Sequence, residues 1–193
     1  MDDRRVDDRG GAAAADGPAA VRPRDLHEVA PGVFYGHGAF MLADRLTVDF
    51  LKQQARSTPL RRSRICAHPG PDADQHDMLI ASHRDTYVAP HRHPSKSESF
   101  TVIEGEADLL LFEADGRLAG RIAMAPCGSG HPFFYRMPAG RYHGLDIRSE
   151  LLVFAESTKG PFRPDDTQNA PWAPPPQELA AGRAFVTALR SGA

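Results

Sequence analysis

Between residues 61 and 160 the chain breaks into short runs of apolar and β-branched residues, each cut off by a turn signal. The runs are Arg64–Ala67, His76–Ser82, Tyr87–His93, Ser99–Ile103, Ala107–Phe112, Arg117–Met124, Phe133–Arg136, His143–Ile147 and Leu151–Glu156. Gly105, Gly116 and the loop Pro126-Cys127-Gly128-Ser129-Gly130 punctuate them. Many short strands at this spacing predict an all-β sandwich or barrel. No internal repeat is visible, so one such unit is expected rather than two.

Four residues in this region share a chemistry. His91 and His93 are separated by one residue, so on a strand they point to the same face. Glu98 follows at odd spacing from His93, and the interval Pro94-Ser95-Lys96-Ser97 must therefore bend, for which proline and serine are suited. His143 comes from a distant run, inside Pro138-Ala139-Gly140-Arg141-Tyr142-His143. Three imidazoles and one carboxylate suit Zn, Fe, Mn or Ni. Their convergence as metal ligands requires neighbouring strands with ligands facing inward, which predicts a sheet closed into a small barrel.

His91-x-His93-x4-Glu98-x6-Gly105 resembles the first cupin motif, and Pro138-x-Gly140-x2-His143 the heart of the second. The wider stretch, from roughly residue 60 to 175, is similar to the WbuC-type cupin fold metalloproteins. Arg64-Ile65-Cys66-Ala67-His68, Tyr87 to His93, Lys96 to Phe100, Gly160-Pro161-Phe162 and Ala170 to Pro174 carry that likeness. Two positions depart from the general pattern: Asp85 stands where a glycine is usual, and Ile147 where an asparagine often ends the second motif. Neither is a ligand position. The resemblance implies an all-β, single-domain cupin (a small β-barrel or double-stranded β-helix) with a few flanking helices and one divalent metal. It further implies a metal-dependent protein of surface-polysaccharide or nucleotide-sugar metabolism, of isomerase, epimerase or lyase type. An iron-dependent dioxygenase and a non-catalytic small-ligand-binding cupin stay open as alternatives. The expected partner is a small, sugar-derived molecule; a homodimer is also raised, though no residue pattern addresses it.

The polar residues around the quartet supply candidates for substrate chemistry. Lys96, between two ligands, could act as an acid or hold an anion. Tyr87 shares the face of His91 if the strand runs straight, so its hydroxyl could reach a substrate. Arg64 could clamp a carboxylate or phosphate in a bidentate way, with His68 and Arg141 as further substrate-binding candidates. Arg92 has the opposite parity and belongs outside. Tyr135 and His131 are read as structural, and His27 and His37 as surface or packing residues.

The rest of the chain divides by composition. Residues 1–24 contain no aromatic residue and cannot pack a core, so a disordered tail is expected there. Residues 25–60 form an N-terminal segment with one helix, capped by Asp44, running to about Arg56 with Leu46, Phe50, Leu51 and Ala55 on one side. Residues 61–160 are the barrel. Residues 161–193 are a proline-rich extension anchored by Trp172, with a helix over Gln177–Arg190 weakened by Gly182. A net charge of −2 gives no electrostatic case for nucleic acid or an anionic membrane. No long apolar run suggests a membrane span, and the first residues lack the apolar core of a secretory signal. Cys66 and Cys127 lack metal or redox spacing and are expected as free thiols in a cytoplasmic protein.

Overall fold

The computed structural model describes residues 25–36 and 41–190. The expected N-terminal tail and His37 lie outside the described residues. The elements run in the order β1 (Leu26–Ala30), β2 (Val33–Gly36), α1 (Arg45–Ser57), β3 (Arg62–Cys66), β4 (Gln75–His83), β5 (Val88–Arg92), β6 (Glu98–Glu104) and β7 (Ala107–Phe112). They continue with β8 (Leu118–Met124), β9 (Phe134–Met137), β10 (Tyr142–Ile147), β11 (Leu151–Lys159), β12 (Gln168–Asn169) and α2 (Leu179–Arg190).

The strands form two sheets, one of seven in the order β1-β2-β3-β4-β11-β6-β9 and one of five in the order β12-β5-β10-β7-β8. From β4 to β11 the chain deals its strands between them so that β4, β11, β6 and β9 face β5, β10, β7 and β8. That is the double-sheet jelly roll, the double-stranded β-helix of cupins. The fold is therefore the predicted all-β class with two flanking helices. One expectation needs correction: the sheets do not close into a continuous barrel. Each keeps its own hydrogen-bonded edges, and side-chain packing rather than a strand ladder joins them.

Alternation along the strands builds two cores from one sheet. On β4, Ile80 points between the sheets, where it meets Phe100, Leu109, Leu145 and Phe154. Its neighbours Leu79 and Ala81 point the other way, onto Leu51 and Ala55 of α1. Helix α1 starts where Asp44 accepts a hydrogen bond from the Thr47 amide at 3.1 Å while Thr47 Oγ1 accepts from the Asp44 amide at 3.2 Å. This reciprocal cap is worth about 1 kcal/mol. Its buried face is Thr47, Val48, Leu51 and Ala55. Leu46, expected on that face, is 57% exposed; five residues from Leu51, it sits roughly 140° around the helix.

The C-terminal extension covers the outer face of the five-stranded sheet. Trp172 packs on Phe112 (centroids 5.0 Å apart) and on Phe185 of α2 (6.3 Å), the anchoring role expected of it. Gly182 proves to be a packing requirement more than a weakness. A Cβ there would lie 2.1 Å from Cδ1 of Tyr87, so the helix can cross the Tyr87 ring only at a glycine. Gly105, at φ 83°, closes the β6–β7 turn in a conformation that favours glycine.

Candidate metal centre

The jelly-roll topology carries the four donors to one place. His91 lies on β5, directly paired in register with His143 on the antiparallel β10. His93 follows just past the end of β5, and after the bend Glu98 opens β6 in the opposite sheet. One nitrogen or oxygen from each side chain lies within 4.8 Å of all the others. Glu98 bridges two of the rings: its Oε2 is 3.1 Å from His93 Nε2 and its Oε1 is 2.9 Å from His143 Nε2.

Backbone carbonyls set the orientation of all three imidazoles. His91 Nδ1 lies 2.9 Å from the Ala89 carbonyl, His93 Nδ1 2.8 Å from that of Asp166, and His143 Nδ1 3.0 Å from that of Arg141. A carbonyl can only accept, so each Nδ1 carries the proton and donates. That leaves Nε2 of each ring with its lone pair, the tautomer a metal ligand needs. His143 Nε2 is buried with no hydrogen-bond partner, because Glu98 is close but out of line for one. An orphaned buried lone pair aimed at two imidazoles and a carboxylate fits a cation. The cluster could hold one metal ion.

The electrostatics agree. Burial, aided by His143, pulls His91 down to about 4, so this ring is neutral at physiological pH. Burial alone would raise Glu98, but the contacts from His143 and His93 outweigh it and hold the carboxylate well below its usual range. Burial would lower His93, yet the contacts with Glu98 and the Asp166 carbonyl together outweigh it and raise this ring. Bound to a metal through their Nε2 atoms the three imidazoles would be neutral, and with the carboxylate they would make a donor set of one negative charge, complementary to a divalent ion.

A cavity of about 320 Å³ opens at the quartet, at the low end of the range for small-molecule sites. Arg62, Arg64, Tyr135 and Glu156 line it together with the four donors. Arg64, a substrate-binding candidate, lines this cavity. The Tyr135 hydroxyl donates to Glu98 Oε1 at 3.0 Å, and its ring stacks on Phe100 with centroids 5.0 Å apart. Tyr135 thus belongs to the site and not only to the packing. Sequence reasoning missed Arg62, Tyr135 and Glu156. The available signal was parity, which puts Arg62 on the strand face of Arg64.

The four other candidates have different surroundings. Tyr87 touches the cavity with its ring, but its hydroxyl donates to the Pro174 carbonyl at 2.8 Å, pinning the C-terminal extension. Burial pushes that phenol up to about 12. Lys96 is buried with Nζ 3.7 Å from Asp166 Oδ2. It faces a neighbouring cavity of about 330 Å³, where His68 also lies. His68 is stacked on His76 with centroids 4.0 Å apart. Arg141 leaves the site altogether: its guanidinium is 3.9 Å from Glu113 at the surface, and only its carbonyl serves the site, through His143. A turn residue next to an inward-facing strand position sends its side chain outward. Arg92 lies outside as parity predicts, over the Tyr142 ring at 4.9 Å. His27 is exposed, and both cysteines are free.

Residues 43–124, less than half of the chain, match the family described as Domain of unknown function (DUF6016). No curated protein matches. Solved structures similar in fold include an uncharacterized conserved protein with a double-stranded beta-helix domain from Klebsiella pneumoniae subsp. pneumoniae. The identity is 18%, over 51% of this chain and 71% of that one, with a TM-score of 0.40. A putative sugar phosphate isomerase from Acidithiobacillus ferrooxidans is 18% identical over 46% of this chain and 51% of that one, with a TM-score of 0.36. The capsular polysaccharide assembling protein CapF from Staphylococcus aureus is 18% identical over 55% of this chain and 29% of that one, with a TM-score of 0.43. This chain spans about half, or less, of the last two. Likenesses this distant carry no argument about reaction or substrate. Among the described residues no helix is long and apolar enough to cross a membrane.

Proposed function

We propose that this chain is a WbuC-type cupin metalloprotein that holds one divalent metal on His91, His93, Glu98 and His143 and presents it to a small, sugar-derived molecule in surface-polysaccharide or nucleotide-sugar metabolism. The observation that carries the metal reading is the common orientation of the three rings. Each Nδ1 is tied to a backbone carbonyl, and the freed donors converge with Glu98 within 4.8 Å. The sugar-linked setting rests on the sequence resemblance. A metal so held would supply Lewis acidity toward a carbonyl or hydroxyl oxygen. The chain's own residues would orient and enclose the ligand: Tyr135 steadies Glu98, and the arginines of β3 face the same space.

The test begins with metal analysis. Purified protein is expected to retain about one divalent ion per chain, and His143→Ala to lose it. A wild-type protein that keeps no metal after reconstitution would sink the reading. Anaerobic turnover of nucleotide-linked sugars by the loaded protein then supports the isomerase, epimerase or lyase class. Oxygen uptake by the iron-loaded form, with no anaerobic turnover, would transfer the function to a dioxygenase, for which the same donor set is suited.

A further inference from the structure

Strand β3 carries two arginines that no carboxylate meets at ion-pair distance among the described residues. Arg62 and Arg64 are two apart, so their side chains leave the same face of the strand, and both line the cavity that holds the quartet. The Nε atoms of both are buried with no hydrogen-bond partner. Several other arginines of the fold do find carboxylates: Arg121 and Arg190 meet Asp146, Arg56 meets Glu150, and Arg45 meets Glu104. Among the described residues Arg62 and Arg64 enter no ion pair. Both side chains are half-buried, and leaving buried guanidinium N–H donors without acceptors is costly.

Two carboxylates share the cavity with the pair, and neither is within ion-pair distance of it. Burial lowers Arg62, and the charges opposing that are Glu156 and Glu98. Glu98 is already engaged by His93, His143 and Tyr135. Burial and Glu98 raise Glu156, against the lowering pull of Arg62, His93 and Arg64. A metal at the quartet would add still more positive charge to the same cavity.

We infer that Arg62 and Arg64 form an anion subsite that takes the carboxylate or phosphate group of a small ligand whose other end reaches the metal quartet. Arginine suits this task because its planar fork meets two oxygens of an oxyanion at once. The cavity volume of about 320 Å³ holds a compact anion of sugar size. This deepens the proposed function by naming the ligand's charged group, and it rests on that function only for the ligand's far end. The arginine pair itself is complete without metal.

The experiment is calorimetric titration of the full chain, metal-free and metal-loaded, with inorganic phosphate and with malonate as probes. At least one probe is expected to saturate the metal-free protein, and the tighter of the two tells a phosphate from a carboxylate ligand. The Arg62→Gln/Arg64→Gln double variant is expected to weaken that binding about tenfold or more while keeping the wild-type metal content. The Arg62→Lys/Arg64→Lys variant keeps the charge but not the fork, and is expected to fall between the two. Circular dichroism checks that each variant is folded. The inference is overturned if neither probe saturates the wild type, or if the folded glutamine or lysine variants bind within twofold of it. Failure to retain metal would strike the proposed function and leave the metal-free titration to judge the arginines. Binding that needs metal and ignores both arginines would do the reverse.

Discussion

Glu98 is the residue on which the site turns. One oxygen faces His93 and the other faces His143 while accepting the Tyr135 hydroxyl. Such an outer contact fixes a ligand's orientation, and its loss typically costs tenfold or more in metal affinity. Tyr135→Phe keeps the ring stacked on Phe100 and removes only the hydroxyl. It is expected to weaken metal binding by about tenfold with little change in fold, measured by competition with a chelator. Unchanged affinity would reduce Tyr135 to packing. At this scale the donors were legible in the sequence because strand parity and the proline-serine bend are local properties of consecutive residues. Tyr135 and Glu156 were not, since each reaches the quartet only through the register of β9 and β11 against β6. Arg141 misled for a related reason. Its closeness in sequence to His143 says nothing about which way a turn side chain leaves.

Helix α2 was visible in the sequence to within two residues at its start, but what holds it was not. Asp146, 1% exposed on β10, receives Arg190 from the last turn of α2, with Nε at 2.8 Å. Arg121 joins them and also donates to the Leu189 carbonyl at 2.9 Å. Burial alone would raise Asp146; the Arg190 contact outweighs it and lowers the carboxyl below its usual value. A depressed carboxyl contributes stability in full above its unfolded pKa, near 3.8. The contribution is lost as pH falls through the lower folded value. Acidification below about pH 4 is therefore expected to loosen α2. The single tryptophan reports it, because Trp172 packs against Phe185 of that helix. Asp146→Asn should produce the same emission shift at neutral pH. The expected loss is on the order of 2 kcal/mol, discounted because the arginine partners are partly exposed. An unshifted spectrum in that variant would show that the aromatic contacts alone hold the helix. No sequence pattern pairs residue 146 with residue 190, since that contact exists only once the extension has folded back over the sheet.

A closed barrel would have tied the two halves of the molecule through an unbroken strand ladder, and the two-sheet arrangement lacks that tie. Many short strands predict sandwich and barrel equally well, so closure was beyond what the turn spacing could decide. The separation gives the quartet a structural weight that its motif does not advertise. His91 and His143 belong to the five-stranded sheet, whereas Glu98 opens β6 in the seven-stranded one, with His93 at the start of the bend between them. A metal bound there crosslinks the sheets at the open end of the core. Binding to the folded state alone stabilises by about 4 kcal/mol when free metal stands a thousandfold above its dissociation constant. For a chain of this size that is a rise in Tm of about 10 °C. Stripping the metal is expected to reverse the rise. It should also speed amide exchange in β5 and at the start of β6, while β4 and β11, paired along their whole length, keep their protection. Uniform exchange across both sheets on metal removal would mean that the ion is a passenger in a fold already held by its packing.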